Sequence, residues 1–236
     1  MESLAKQLIE QNILAEEEQL NKEIYRSHWR GSNMGRCYRF QVLYRNGHPP
    51  TNTISLEVKK IFRVGDLFHQ DIQSLLPANT VEVDVLSDDF CGHADHVGED
   101  YIEDFKTIGD YQWKLLNKKG FNVVNDKLPY IYQVMAYAVM LDKPKGILTF
   151  IHKDNYEMKS FEFTTAKWKE KILEELVKLN EFWEVFKNVS LLPPAMPRCY
   201  NFKECSYCLW QTYCDNREGN AAKARAVLAA QTDELF

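Results

Sequence analysis

The chain has no apolar run near the roughly 18 residues that a membrane span needs, so no membrane-crossing helix is expected. It has no excess of positive charge. With 29 Lys and Arg against 34 Asp and Glu, the formal net charge is −5, which argues against passive coating of nucleic acid. That balance leaves room for an enzyme acting on nucleic acid, since metal-holding carboxylates lower net charge and a local basic groove can guide a strand. Internal repeats and low-complexity tracts are lacking too, which removes repeat architectures. The start, MESLAKQLIEQN, is amphipathic and acidic rather than basic then apolar. No signal peptide is read there, and a cytoplasmic location is expected. What is present is a 236-residue chain, 45% hydrophobic and 13% aromatic. That excludes disorder and suffices for a real core, in one domain or a domain with appendages.

Periodicity divides the chain into three parts: 1–52, 53–190 and 191–236. Residues 2–26 read as a helix, and 27–52 as an irregular basic loop closed by Pro49-Pro50. Helical spacing returns over 53–76, as two helices meeting near Gly65. Strands are expected at Val81–Leu86, Phe90–Val97 and Tyr101–Thr107, separated by polar turns. A short helix over 110–118 precedes a helix capped by Asn125 or Asp126, with Pro129 in its first turn, running to about Leu141. Ile147–His152 and Glu157–Thr164 read as a hairpin, and Thr164 or Thr165 as the cap of a long helix to about Lys187. A stiff linker over 192–197, a cysteine cluster, a short alanine-rich helix and a tail complete the chain.

Charge stands out on the strands. Asp95 in Gly-His-Ala-Asp is followed, after eight intervening residues, by Asp104-Phe105-Lys106. Residues two apart on a strand share a face, so Asp104 and Lys106 point one way, and Glu103 and Phe105 the other. Asp95 can meet Asp104 across the antiparallel pair. Two facing carboxylates repel unless a cation lies between them, and hard oxygen ligands suit Mg2+ or Mn2+. Lys106 beside such a cation can help deprotonate a water or neutralise charge on a phosphate. A surface salt bridge is the alternative reading.

Gln133 and Tyr137 lie at i and i+4 on one helix face, either as core with a polar tip or as a face toward the charged strands. His69 sits on an upstream helix after Gly65. In this order the set resembles the RecB-like branch of the PD-(D/E)XK nucleases over roughly residues 32–214. The resemblance implies an α/β restriction-endonuclease-like core, a mixed central sheet flanked by helices. It implies His69, Asp95, Asp104 and the Phe105 carbonyl as metal ligands, Lys106 as the catalytic lysine, and Gln133 and Tyr137 as the closing motif. Some relatives place a glutamate near the metals where Glu82 stands, although that residue also reads as solvent-facing.

Four of the six cysteines fall within 199–214, which in a cytosolic protein reads as metal binding before disulfides. Cys205, Cys208 and Cys214 give three soft ligands. The fourth is either Cys199, making a local four-cysteine zinc site, or the distant Cys37. The CRISPR-associated RecB-like exonucleases, AddB-type nuclease domains and exonuclease V family share one N-terminal and three C-terminal cysteines. Similarity to them implies a 4Fe–4S cluster held by Cys37, Cys205, Cys208 and Cys214, stapling the chain's two ends around the core. Cys91, within a strand, reads as core.

The resemblance implies a DNA exonuclease acting on single-stranded ends, in recombination, repair or CRISPR-type processing. A DNA-end-binding or partner-binding module and a zinc-stabilised regulator are the alternatives. Arg26, Arg30, Arg36, Arg39 and Arg45, interleaved with Tyr38, Phe40 and Tyr44, form a mix suited to unpaired strands, and Lys114, Lys118 and Lys119 are candidates for the same channel. In the tail, Gln231 with Leu235 and Phe236 resembles peptides that dock on replication sliding clamps.

Overall fold

The computed structural model describes residues 3–20, 28–188 and 203–216. In chain order the elements are α1 (Leu4–Leu20), β1 (Trp29–Arg30), α2 (Tyr38–Arg45), α3 (Leu56–Ser74), β2 (Val81–Leu86), β3 (Phe90–Val97), β4 (Tyr101–Ile108) and α4 (Asp110–Leu116). There follow α5 (Val123–Asp126), α6 (Leu128–Met140), β5 (Lys145–His152), β6 (Met158–Thr164), α7 (Thr165–Phe186), α8 (Lys203–Ser206) and α9 (Gln211–Asn216).

The strands form one mixed six-stranded sheet in the order β1-β3-β4-β5-β6, with β2 also on β3. The connection from β4 to β5 passes through α6, and the two strands pair in parallel from Tyr101↔Lys145 to Ile108↔His152. Every other consecutive pairing, β2–β3, β3–β4 and β5–β6, is antiparallel.

Alternation along β4 and β5 builds two cores. Ile102, Ile108, Leu148 and Phe150 face α6 and α7 and join Ile131, Val134, Met135, Ile172 and Leu179. Phe105 and Ile151, one residue out of phase, face α3 and pack on Ile72 and Phe68. The sheet is therefore covered on both faces, as buried β4 and β5 require. Among the described residues no helix is long and apolar enough to cross a membrane.

Three sequence expectations are corrected. α3 is one continuous helix, capped by the Ser55 side chain; Gly65 does not break it but sits close to β4, where an added Cβ would lie 3.4 Å from Thr107 Oγ1. Residues 38–45, expected as irregular loop, form α2. The helix expected to be capped by Asn125 or Asp126 is α6, which begins after Lys127 without a side-chain cap; Asn122 caps the separate short α5. The linker 192–197, the alanine-rich segment and the tail, with Gln231, Leu235 and Phe236, lie outside the described residues, as do Cys199 and Arg26.

Candidate active site and cysteine cluster

The site begins where two strands part. β4 pairs with β3 only at His96↔Glu103 and Val97↔Ile102, while β1 takes up β3 at Phe90 and Cys91. Between these contacts, Gly92–Asp95 has its other edge on β2 and faces a gap. The Phe105 N–H, which loses a ladder partner there, donates to Asp95 Oδ2 at 2.8 Å. A buried amide must be satisfied somehow, and here an acidic side chain does it.

Asp104 lies one residue before that amide and is fully buried. Lys106 Nζ approaches its Oδ2 to 2.7 Å, yet neither Asp104 oxygen has a well-aligned hydrogen bond. Burial drives the Asp104 carboxyl up to about 7; Lys106 opposes the rise and Asp95 adds to it. Burial works against the Lys106 ammonium, but Asp104 and Asp95 outweigh it and hold the lysine above its ordinary value. On the other side of the gap, His69 Nδ1 on α3 stands 3.8 Å from Asp95 Oδ2.

α6 closes the site from above. Gln133 and Tyr137 are both buried and hydrogen-bonded to each other, and burial pushes the Tyr137 hydroxyl above the ordinary tyrosine value. Its ring packs where Gly31 and Gly92 have no side chains. One turn nearer the N-terminus, the Tyr130 ring lies 5.5 Å from Lys106 Nζ. Sequence reading missed Tyr130, although its i, i+3, i+7 spacing with Gln133 and Tyr137 marks one helix stripe. Glu82 does not join the group on the described contacts: it is exposed and accepts a hydrogen bond from Gln73. Glu103 faces away from Asp104, accepting from Thr149 Oγ1 at 2.6 Å.

The basic segment, expected as a strand-binding surface, is largely turned inward. Arg39 is 1% exposed. The Arg45 guanidinium lies 4.4 Å from both the Trp29 and Trp183 rings. Arg36 pairs with Glu204 at 2.9 Å. These arginines brace the fold.

Cys37 immediately precedes α2, Cys205 lies on α8, Cys208 follows it, and Cys214 lies on α9. Burial raises the Cys208 thiol to about 11, and Cys214, Cys37 and Cys205 each add to the rise. Cys37, Cys205 and Cys214 thus each lie near enough to Cys208 to oppose its ionisation. Their docking rests on ordinary contacts: Phe40 and Leu43 pack on Trp210, Trp210 Nε1 donates to the His48 and Pro49 carbonyls, and the Thr51 and Asn52 amides bond the Leu209 carbonyl. Cys91 is buried in β3, as a core residue.

Among the described residues no three His, Cys, Asp or Glu side chains stand in a ready-made metal-binding arrangement. The residues nonetheless suit two groups by chemistry. Three thiols set around a fourth whose ionisation they oppose fit a cationic iron–sulfur or zinc centre. A buried carboxylate with unmet oxygens, opposed by a second carboxylate, fits a hard divalent cation.

No family model and no curated protein matches the chain. Among solved structures it is similar to the crystal structure of SSO0001, at 19% identity and a TM-score of 0.57, over 91% of this chain and 98% of that one. It also matches an alkaline exonuclease, LHK-Exo from Laribacter hongkongensis, at 12% identity and a TM-score of 0.46, over 70% of this chain and 93% of that one. LHK-Exo in complex with dAMP matches at 14% identity and 0.44, over 65% and 83%. Across nine-tenths of its length the chain shares the fold of SSO0001.

Proposed function

We propose that the chain is a metal-dependent DNA exonuclease of the RecB-like PD-(D/E)XK kind, acting on single-stranded ends. Cys37, Cys205, Cys208 and Cys214 hold a 4Fe–4S cluster in this reading. The observation that carries it is Asp104: fully buried, with neither oxygen in a good hydrogen bond, 2.7 Å from Lys106 and opposed by Asp95. A core retains such a group for a reason, because burying a carboxylate is costly even beside a lysine.

His69, Asp95, Asp104 and the Phe105 carbonyl would hold Mg2+ or Mn2+. Bound there, the ion supplies a polarised phosphate oxygen and an acidified water. The chain's own groups do the rest. Lys106 keeps its proton under the pull of Asp104 and Asp95, which favours neutralising charge on the phosphate over abstracting a proton from water. Asp95, by accepting the Phe105 N–H, ties the two strands together across the gap. Tyr137, kept protonated by burial, fixes Gln133 from behind.

The test is cleavage of end-labelled single- and double-stranded DNA with Mg2+ or Mn2+, wild type beside Lys106→Ala. The variant is expected to lose at least about a hundredfold in rate with its fold intact. Normal cutting by Lys106→Ala would remove the site assignment, and binding without cleavage by wild type would favour a DNA-end-holding module.

A further inference from the structure

With Arg39 and Arg45 buried and Arg36 engaged by Glu204, those three arginines leave the contact with a strand to another surface. α6 supplies it. Gln133 and the residues from Val134 to Ala138 are buried, and Tyr130 is the one residue of α6 that stands exposed, at 38%. It is not loose. Its ring is backed by Phe150 at 6.4 Å between centroids. Phe150 in turn lies under Lys127 Nζ, 5.8 Å from the ring, and Lys127 is fixed by its bond to Gln112 at 3.0 Å. The opposite neighbour of Tyr130 is Lys106 Nζ, 5.5 Å from its centroid.

Tyr111, Tyr156 and Tyr207 stand more open; what sets Tyr130 apart is a braced ring beside the half-buried Lys106. The ligand class follows from chemistry. A flat π-surface held rigid next to a phosphate-binding ammonium matches a nucleotide whose phosphate sits at Lys106 and whose base is free to stack. Paired bases are unavailable for such stacking, so the ring selects an unpaired strand.

We infer that Tyr130 is a nucleobase subsite, stacking the unpaired base next to the phosphate at Lys106. This rests on the nuclease reading for the position of that phosphate. The subsite discriminates by base: an abasic residue at the same position leaves the ring uncovered.

The experiment uses the full chain and end-labelled single-stranded oligonucleotides, intact or carrying abasic residues at the terminal positions of either end. Binding is read by anisotropy in Ca2+ and cleavage in Mn2+. Wild type is expected to favour the intact strand by about tenfold. Tyr130→Ala is expected to abolish the preference and Tyr130→Trp to keep it, with unchanged melting temperatures. The subsite is overturned if wild type binds intact and abasic strands alike or binds neither, or if Tyr130→Ala discriminates as wild type does. An equal loss of rate on both strands in Tyr130→Ala, with discrimination kept, also overturns it, since the ring would then only position Lys106. Discrimination in binding without any cleavage would leave the subsite standing and sink the nuclease reading instead.

Discussion

The Tyr137 hydroxyl occupies the space in which Gly92 would carry a side chain: a Cβ built there lies 2.6 Å from the oxygen. The gap between β3 and β4 is therefore closed by a tyrosine that only a glycine strand admits. Gly92→Ala is expected to lower stability by about 1–3 kcal/mol, the usual cost of overpacking, and to displace Tyr137 from Gln133. Urea denaturation reads the first effect. The second appears as reduced cleavage by a protein that is still folded.

Burial lifts the Asp104 carboxyl to about 7, from the ordinary aspartate value near 3.9. Between those values the folded chain holds a proton that the unfolded chain has released. Stability of the metal-free protein should thus fall as pH rises from roughly 4 to 7, by at most about 1.4 kcal/mol per pH unit, and level off above. Asp104→Asn should flatten that slope. Chelator-treated protein, unfolded in urea across this range, gives the comparison. In wild type, added Mn2+ should recover stability above pH 7.

Much of this was legible in the sequence, and the misses have physical causes. β2 and β3 fall where alternation and turn residues placed them, β4 extends one residue further, and the shared face of Asp104 and Lys106 follows from the strand period alone. α2 was not legible, because a helix that buries arginines on indoles and carboxylates carries no clean apolar stripe. The two-residue β1 is too short for any pattern. Gly65 reads as a break, yet Ser55 caps one helix that runs through it, and that continuity depends on packing against partners distant in sequence. Tyr130 is not marked in the sequence, because exposure, not residue type, is what distinguishes it from its buried neighbours.

Arg45 offers a test of whether the basic segment is structural. Its guanidinium sits between two indole rings, a stacking role that lysine does not reproduce. Arg45→Lys is expected to cost about 2 kcal/mol in thermal or urea denaturation. The salt dependence of DNA binding should not change, as it would if this arginine neutralised a phosphate.

For the cysteines, protein prepared without oxygen is expected to be brown, with broad visible absorbance, and serine at Cys37, Cys205, Cys208 or Cys214 should bleach it. Cys91→Ser should leave the colour intact, because that thiol lies in β3. A colourless protein that contains zinc would replace iron–sulfur with the zinc reading.

The bond between Arg36 and Glu204 joins residues 168 apart in sequence, and with it Trp210 covers Phe40 and Leu43. Synthesis runs from the N-terminus, so α2 leaves the ribosome long before its cover exists. Until residue 210 follows, an apolar patch and the Cys37 thiol stand bare on a sheet that is otherwise assembled. Docking of the segment around Trp210 onto α2 is thus a late step of folding, joining surfaces made 168 residues apart.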